Sequence, residues 1–264
     1  MTSKFKVISP HPAGQKKAPI LQLQTLGRVF RVNHSFLTVL DDISFDVQAG
    51  EMICILGPSG CGKTTLLKIL SGFLKPSSGR VLLHGRPVTA PGPDRCVVFQ
   101  EDALFPWLTV AENIAFGLKG KGVGRGRHEM VDRYLELVGL SAFGGYLPAE
   151  ISGGMKQRVA LARVLILEPE ILLMDEPFAA LDAQTREEMH QLLLRLWKNL
   201  GHTIVFVTHD VREAVTLADR VIVMDKNPGR VKELVNVDLE RPRNLDHHSF
   251  HHRCTRLHDL LRSD

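Results

Sequence analysis

The chain has 264 residues and a net charge of +4, and its hydrophobic (44%) and charged (23%) fractions are those of an ordinary globular protein. Its lysines and arginines are spread along the sequence, which argues against a strongly basic nucleic-acid-binding surface. No apolar run approaches the roughly 20 residues of a membrane helix, and residues 1–19 lack the apolar core of a secretory signal. We therefore expect a flexible arm at 1–19 and a protein kept in the cytoplasm.

The first predicted elements are two strands, at residues 21–30 and 43–47, where apolar and polar residues alternate. They predict an N-terminal antiparallel β subdomain. Phe30 and Phe36 lie upstream of the next motif, and either could stack on a nucleotide base or pack in a core or at an edge.

A glycine-rich stretch then follows a short apolar strand, 52–56, and precedes a helix that opens at Thr65. It matches the pattern G-x-x-x-x-G-K-[ST] in the strand–loop–helix setting that a phosphate-binding loop requires. Lys63 is expected to reach the β- and γ-phosphates of a nucleotide, and the Thr64 hydroxyl to ligate Mg²⁺. The residues assigned to nucleotide binding here are Gly57, Pro58, Ser59, Gly60, Cys61, Gly62, Lys63, Thr64 and Thr65.

From residue 101 to about 168 the pattern becomes mainly helical, which predicts a helical subdomain inserted into the fold. Thr109 is a plausible N-cap for a helix at 110–118. The basic, glycine-rich stretch 119–127 favours a mobile solvated loop, with contact to lipid headgroups or nucleic acid as the alternative.

Several buried strands end at residues that can do chemistry: Gln100, Asp175 with Glu176, and His209. Near-continuous apolar strands that alternate with helices predict an α/β fold with a mostly parallel core sheet. In such sheets ligands bind at the carboxyl ends of the strands, so these residues should gather around the phosphates.

Each of these side chains suits a different task. Asp175 is placed to hold Mg²⁺, and Glu176 to polarise the water that attacks the γ-phosphate. Gln100 could complete the metal shell and orient that water. His209 could contact the γ-phosphate, although a strand-end histidine is often only a satisfied polar group.

A second anion-binding helix N-terminus is predicted at Ser152, Gly153 and Gly154, which stand directly before a helical run at 159–167. One nucleotide already has its cradle in the phosphate loop. A second cradle in the same chain suggests that each nucleotide is shared between two subunits.

With these motifs in this order, residues 20–240 resemble the ATP-binding cassette (ABC) ATPase family of P-loop NTPases. The resemblance implies that ATP lies between the phosphate loop of one copy and the Ser152 segment of a second copy. It implies that closing and opening of this dimer drives a membrane permease, and that Phe30 rather than Phe36 stacks on adenine. Met155 stands where the commonest family form has glutamine, so any contribution from that amide is lost.

Finer details resemble the importer branch that serves nitrate, sulfonate and taurine. These are residues 91–95, 99–107, 175–182 and 237–243. The implied protein is the ATP-hydrolysing subunit of an importer of a small anionic solute, peripheral on the cytoplasmic face of the membrane. Its implied partners are a second copy, permease subunits and, indirectly, a solute-binding protein, with no nucleic acid.

Two other classes of protein fit the sequence less well. A non-transport ABC protein that acts on DNA or ribosomes usually carries a long coiled-coil insertion or two cassettes, and this chain has neither. A P-loop kinase or ligase would need an acceptor site and would lack the Ser-Gly-Gly signature.

Two segments leave alternatives open. Residues 105–108 (Phe-Pro-Trp-Leu) could line a groove for a permease helix or pack the core of the helical subdomain. The tail 241–264 is polar and histidine-rich. A metal site there is the less favoured interpretation, because no second shell is evident around the histidines, which are His247, His248, His251, His252 and His258.

Overall fold

The protein folds into two units in this computed structural model, which describes residues 18–99, 103–120 and 126–262. Among these described residues, the smaller unit lies within Pro93–Gly201, and the larger unit combines residues 18–92 with residues 202–262. The predicted boundaries of the ATPase domain, 20 and 240, stay a prediction.

Strands and helices alternate between residues 153 and 224, whereas the first half of the chain groups most of its strands and then most of its helices. In chain order they are β1 (Leu21–Val32), β2 (Ser35–Val47), β3 (Met52–Leu56), α1 (Lys63–Leu70), β4 (Ser78–Leu83), β5 (Arg86–Pro87), β6 (Arg95–Val98), α2 (Val110–Phe116), α3 (Arg127–Leu137), α4 (Gly153–Leu165), β7 (Ile171–Asp175), α5 (Ala183–Leu200), β8 (Thr203–Thr208), α6 (Val211–Leu217), β9 (Arg220–Met224), β10 (Val231–Asn236) and α7 (His248–Arg262). Short 3₁₀ helices lie at Gly117–Gly120, Ser141–Phe143 and Pro148–Glu150.

The larger unit contains the predicted antiparallel sheet, with the strand order β2-β1-β4-β5. Both strands of its first hairpin run further than the sequence indicated, since pairing continues to Val32 and Ser35. Asn33 turns the chain there with a φ of 54°, which asparagine tolerates better than most residues. The alternation of buried and exposed residues fades towards the hairpin tip, and this explains why the pattern did not reveal the extension.

The same unit contains the parallel strands on which the phosphate loop is built. β3 pairs in parallel with both β8 and β9, and β10 continues this order antiparallel to β9. All residues of β3 and β8 are buried, as expected of strands covered on both faces. These pairings confirm the predicted parallel core of the fold.

The smaller unit pairs β6 with β7 in parallel and carries helices α2 to α5. The predicted N-cap of α2 is confirmed: Thr109 Oγ1 accepts from the backbone N–H of Glu112 at 3.2 Å. The Glu112 carboxylate accepts in return from the Thr109 N–H at 2.8 Å, which completes a capping box. Within the described residues, no helix is both long enough and apolar enough to cross a bilayer.

The C-terminal segment, expected only to be polar and rich in histidine, forms the helix α7. Its buried residues are Phe250, Cys254 and Leu257, which recur at helical spacing on one face. Arg243, which precedes α7, is held by hydrogen bonds, because its guanidinium donates to the carbonyl oxygens of Val215 and Val237. This segment is therefore packed against the larger unit.

Asn113 is a buried amide, 0% exposed, that fastens the segment before α2. Its Nδ2 donates to the carbonyl oxygens of Phe105 (3.1 Å), Leu108 (2.9 Å) and Thr109 (3.0 Å). Its Oδ1 accepts from the Phe105 N–H at 2.9 Å. One side chain thus satisfies several backbone groups that a loop would otherwise leave unpaired.

We expect Asn113→Ala to lower the free energy of unfolding by about 2–4 kcal/mol, because buried backbone groups lose their partner. Urea unfolding followed by circular dichroism measures the change. The exposed Gln191→Ala is the control and should stay within about 0.5 kcal/mol of the wild type. Equal stability of the two variants would contradict the role given to Asn113.

Candidate nucleotide site

The phosphate loop (residues 57–64) connects β3 to α1 and lies entirely in the larger unit. Its turn into the helix depends on Gly62, which adopts a φ of 95° as the N-cap of α1. A Cβ there would lie 2.7 Å from Leu40 Cδ2, so both conformation and space require glycine. The loop can thereby present its backbone N–H groups and the start of α1 to an anion.

Lys63 is buried and bends back over the loop. Its Nζ donates to the carbonyl oxygens of Gly57 at 2.7 Å and Pro58 at 3.1 Å. The ammonium group is therefore held at the mouth of the loop. There a phosphate could replace carbonyl oxygens with a stronger, charge-assisted partner. Thr64, next along, is exposed, and Thr65 is half-buried.

The loop is supported from behind by residues that the sequence did not single out. Gly229 accepts from the Asp41 N–H and donates to the Val39 carbonyl, both at 2.9 Å. A Cβ on Gly229 would lie 2.1 Å from the Cys61 carbonyl oxygen, so any side chain would displace the loop. The turn dipeptide Pro228-Gly229 was the available signal, but it marks a turn and not what the turn packs against.

Cys61 lies inside the phosphate loop and is fully buried. Burial raises the pKa of its thiol, against the opposing effect of the Lys63 charge. The thiol therefore stays neutral at physiological pH and adds no negative charge to a site meant for phosphate.

The two candidate aromatic residues occupy different places on the first hairpin. Phe30 is half-buried on β1, and the Arg28 guanidinium lies 4.4 Å from its ring centroid. Phe36, near the turn, is 77% exposed. Stacking on adenine stays a prediction for Phe30.

His209 follows β8 directly, as predicted, and is exposed. The turn that carries it is held by its neighbours: the Asp210 N–H donates to Thr208 Oγ1 at 3.0 Å, and this hydroxyl donates to Glu213 Oε2 at 2.7 Å. Asp210 also caps α6. No sequence pattern singles out Thr208, Asp210 and Glu213, whose hydrogen bonds hold the turn that carries His209.

In the smaller unit, Asp175 and Glu176 stand at the end of β7, as predicted. Asp175 is the last residue of the strand and is 9% exposed, and Glu176 is half-buried. Glu176 adopts a φ of 44°, a left-handed conformation that is uncommon outside glycine. Such strain is retained where the surrounding structure fixes it, often at functional sites.

The predicted second anion site is the N-terminus of α4. Ser152 is its N-cap, with Oγ accepting from the Met155 N–H at 3.3 Å, and Ser152 and Gly153 are exposed. The structure thus has a capped, accessible helix start at the expected place. Gln100 lies outside the described residues, as do residues 121–125 of the basic loop.

Residues 103–109, here called the aromatic loop, follow Gln100. Two interpretations were open for the aromatic residues of this loop: a groove for a permease helix, or packing within the helical subdomain. Phe105 is half-buried, with its ring centroid 4.4 Å from that of Phe116 and 5.6 Å from that of Trp107. Trp107 is 71% exposed and does not belong to the core. Phe105 therefore packs against neighbouring aromatic rings at the surface of the smaller unit, and Trp107 faces outwards.

Metal binding by clustered side chains finds no support in the part of the chain that the structure describes. No group of three or more histidine, cysteine, aspartate or glutamate side chains is arranged to hold a metal ion there. On α7 the rings of His248 and His252 stack at 6.4 Å, and both are exposed.

The sequence pattern of one family, described as "ABC transporter", matches residues 40–179. A taurine import ATP-binding protein, TauB, of Roseobacter denitrificans is 49% identical over 213 residues, which is 80% of each chain. A nitrate import ATP-binding protein, NrtD, of Synechococcus elongatus is 43% identical over 240 residues, 89% of this chain and 88% of that protein.

The fold is also similar to that of solved proteins. One is the ATP-binding cassette MJ0796, described as the dimeric structure of a post-hydrolysis state bound to ADP and Pi. The TM-score is 0.72 at 31% sequence identity, covering 82% of this chain and 98% of that one.

Proposed function

The chain belongs to the ABC transporter family, and from that premise we propose that it is the ATP-hydrolysing, energy-coupling subunit of an importer for a small anionic solute. The observation that carries this proposal is the similarity along most of the chain to import subunits for taurine and for nitrate. Both of these solutes carry an oxyanion group, which favours nitrate, sulfonates and taurine as the solute class.

In this proposal the phosphate loop holds the ATP phosphates, with Lys63 exchanging backbone carbonyl oxygens for phosphate oxygens. Phe30 stacks on the adenine. Glu176 acts as the general base that polarises the attacking water, and His209 contacts the γ-phosphate. The positions of Glu176 and His209 directly after strands, and of Lys63 in the loop, support these assignments.

Mg²⁺ fits the donor groups present. The Thr64 hydroxyl is exposed at the start of α1, and the Asp175 carboxylate ends β7. Oxygen ligands of this kind, with phosphate oxygens and waters, are what Mg²⁺ prefers. We assign Thr64, Asp175 and Gln100 as the residues that would hold the ion, which neutralises charge on the phosphates during hydrolysis.

The active form in this proposal is a dimer of two copies that share their nucleotides. Each ATP is held by the phosphate loop of one copy and by Ser152, Gly153 and Gly154 of the other. The exposed, capped start of α4 supports this arrangement, since a helix N-terminus attracts phosphate. The dimeric state of a similar cassette supports it as well.

The subunit acts on the cytoplasmic face of the membrane, against permease subunits that carry the solute, with a solute-binding protein delivering it. The aromatic loop is the proposed contact for the permease. Trp107 supports this, because a large exposed apolar side chain on a fixed loop is typical of an interaction site.

Trp107→Ala should leave ATP hydrolysis by the isolated subunit within twofold of the wild type and lower uptake per ATP hydrolysed by about tenfold, as loss of an interface anchor would. Proteoliposomes containing the whole transporter provide both rates. Tyr146→Ala, which removes an aromatic ring 45% exposed in the same unit, is the matched control. Normal coupling in Trp107→Ala would contradict the contact, and so would a loss of uptake that is explained by unfolding of the variant.

The solute itself is tested by transport. The chain is co-purified with the permease and binding protein encoded beside it, and ATP-dependent uptake of labelled nitrate, taurine and an alkanesulfonate is measured. Uptake of one of these supports the proposal. ATP hydrolysis that is stimulated by none of them, with uptake of an uncharged solute instead, would contradict the solute class.

A further inference from the structure

Gln157 is a buried polar side chain that none of the assignments above uses. It lies on α4, 5% exposed, one helical turn beyond Gly154. Its Nε2 donates to the backbone carbonyl oxygen of Pro177 at 2.7 Å. Burying an amide is unfavourable unless it is hydrogen-bonded, so this bond fixes the orientation of Gln157 as well as its partner.

Pro177 is the residue that follows Glu176, and the bond therefore acts on a strained segment. Glu176 has a φ of 44°, a conformation that costs a side-chain-bearing residue free energy and needs support from its surroundings. The turn is closed by the Ala179 N–H, which donates to the Glu176 carbonyl at 3.2 Å.

Two further contacts anchor the far side of this turn. Phe178 is 1% exposed, and its ring meets the edge of His190 with centroids 5.1 Å apart. Arg186 Nη2 donates to the Leu181 carbonyl at 2.7 Å. Both of these anchors come from α5, whereas Gln157, on α4, holds the carbonyl of the Pro177–Phe178 peptide.

We propose that Gln157 is a positioning residue for Glu176: its amide holds the Pro177 carbonyl and so fixes the left-handed backbone that sets where the Glu176 carboxylate points. This inference rests on the proposed role of Glu176 as the general base. A base must lie within hydrogen-bond reach of the water it polarises, and a misplacement of about 1 Å can cost about 10²-fold in rate.

The bond also has a consequence for the proposed dimer. Gln157 belongs to the helix whose first turn carries Ser152, Gly153 and Gly154. In the proposed dimer, the segment of Ser152, Gly153 and Gly154 meets the nucleotide of the partner copy. One helical turn and the Gln157 hydrogen bond connect this segment to the turn that carries Glu176 in its own copy.

The first test is Gln157→Met, which keeps the length of the side chain and removes the donor. We expect kcat for ATP hydrolysis to fall by about 10- to 10²-fold, in line with a misplaced base, while KM for ATP changes less than twofold. The matched control is Gln191→Met on α5, where an exposed glutamine bonds Glu187 at 3.2 Å. It should leave both constants unchanged.

The second variant, Gln157→Glu, guards against a failure of Gln157→Met to fold, because glutamate has nearly the same shape as glutamine. A protonated carboxyl can donate to the Pro177 carbonyl, whereas the ionised form cannot. Burial at this position should raise the pKa of the introduced carboxyl, so the kcat of this variant relative to wild type should fall as the pH rises and the carboxyl ionises. A wild-type kcat at pH 9 would overturn the inference.

Glu176→Gln separates this inference from the function on which it rests. If Glu176→Gln still hydrolyses ATP at the wild-type rate, the role given to Glu176 is wrong. If Glu176→Gln is inactive and Gln157→Met has wild-type kcat, only the inference is wrong. In the double variant we expect no loss of hydrolysis beyond that of Glu176→Gln, since Gln157 acts through Glu176.

Discussion

Lys63→Ala should weaken ATP binding by about 10²-fold, equivalent to about 2.7 kcal/mol. The Lys63 ammonium sits at the mouth of the phosphate loop on the carbonyl oxygens of Gly57 and Pro58. The ammonium group bonds more strongly to a charged phosphate than to a neutral carbonyl oxygen, so exchanging these carbonyl oxygens for phosphate oxygens favours ATP binding. Equilibrium binding of a fluorescent ATP analogue to the purified chain measures the loss.

The matched control is Lys68→Ala, one turn further along α1, where the lysine is exposed. It removes the same charge from the same helix and should leave the dissociation constant within about twofold, as expected of a surface charge in salt. Wild-type affinity in Lys63→Ala, with normal folding by circular dichroism, would contradict the assignment of the loop.

Glu176→Gln should lower the rate of ATP hydrolysis by about 10²- to 10⁴-fold, which is the usual contribution of a general base. The substitution keeps the size of the side chain and removes its ability to take up a proton. Binding of ATP should persist, so the variant is expected to accumulate as an ATP-bound dimer. Single-turnover hydrolysis and light scattering with ATP measure the two effects.

Glu136→Gln, which changes an exposed glutamate on α3, controls for the loss of one negative charge. Its hydrolysis rate should equal that of the wild type. A Glu176→Gln variant that stays monomeric with saturating ATP would contradict the shared nucleotide, even if its hydrolysis is lost.

Much of the fold follows from the pattern of apolar residues. The strand predicted at 52–56 matches β3, and β7 and β8 end where the sequence predicts, because buried parallel strands are continuous and short. The signal that predicts the N-cap at Thr109 is equally local, since its partner Glu112 is three residues away in the sequence. Local signals of this kind can be taken from the sequence directly.

The sequence of the C-terminal helix α7 contains apolar residues at helical spacing, but the histidine-rich composition around them drew attention away from this pattern. Phe250, Cys254 and Leu257 stand at helical spacing, while the histidines around them suggested a polar tail. Three apolar residues on one face are enough to dock a helix whose remaining surface is polar.

The details of the site depend on contacts between residues far apart in the sequence, and no local pattern contains them. The support of the phosphate loop by Gly229 joins positions 168 residues apart. The left-handed backbone of Glu176 and its link to Gln157 arise from packing between α4 and the end of β7. Motifs name the residues that do chemistry, whereas the residues that position them appear only in three dimensions.

A mixing measurement tests most directly the claim that two copies share each ATP. One preparation of the chain carries Lys63→Ala and a second carries Ser152→Glu, and the two are mixed. Both preparations also carry Glu176→Gln, which stops hydrolysis. A dimer of either variant alone has no intact shared site. A mixed dimer has one, in which the intact phosphate loop of the Ser152→Glu copy faces the intact Ser152 of the Lys63→Ala copy.

Dimer mass and bound ATP are then measured for each variant and for the mixture. We expect only the mixture to form ATP-dependent dimers, with one tightly bound ATP per dimer. A mixture that behaves as the sum of its two components would contradict the shared site.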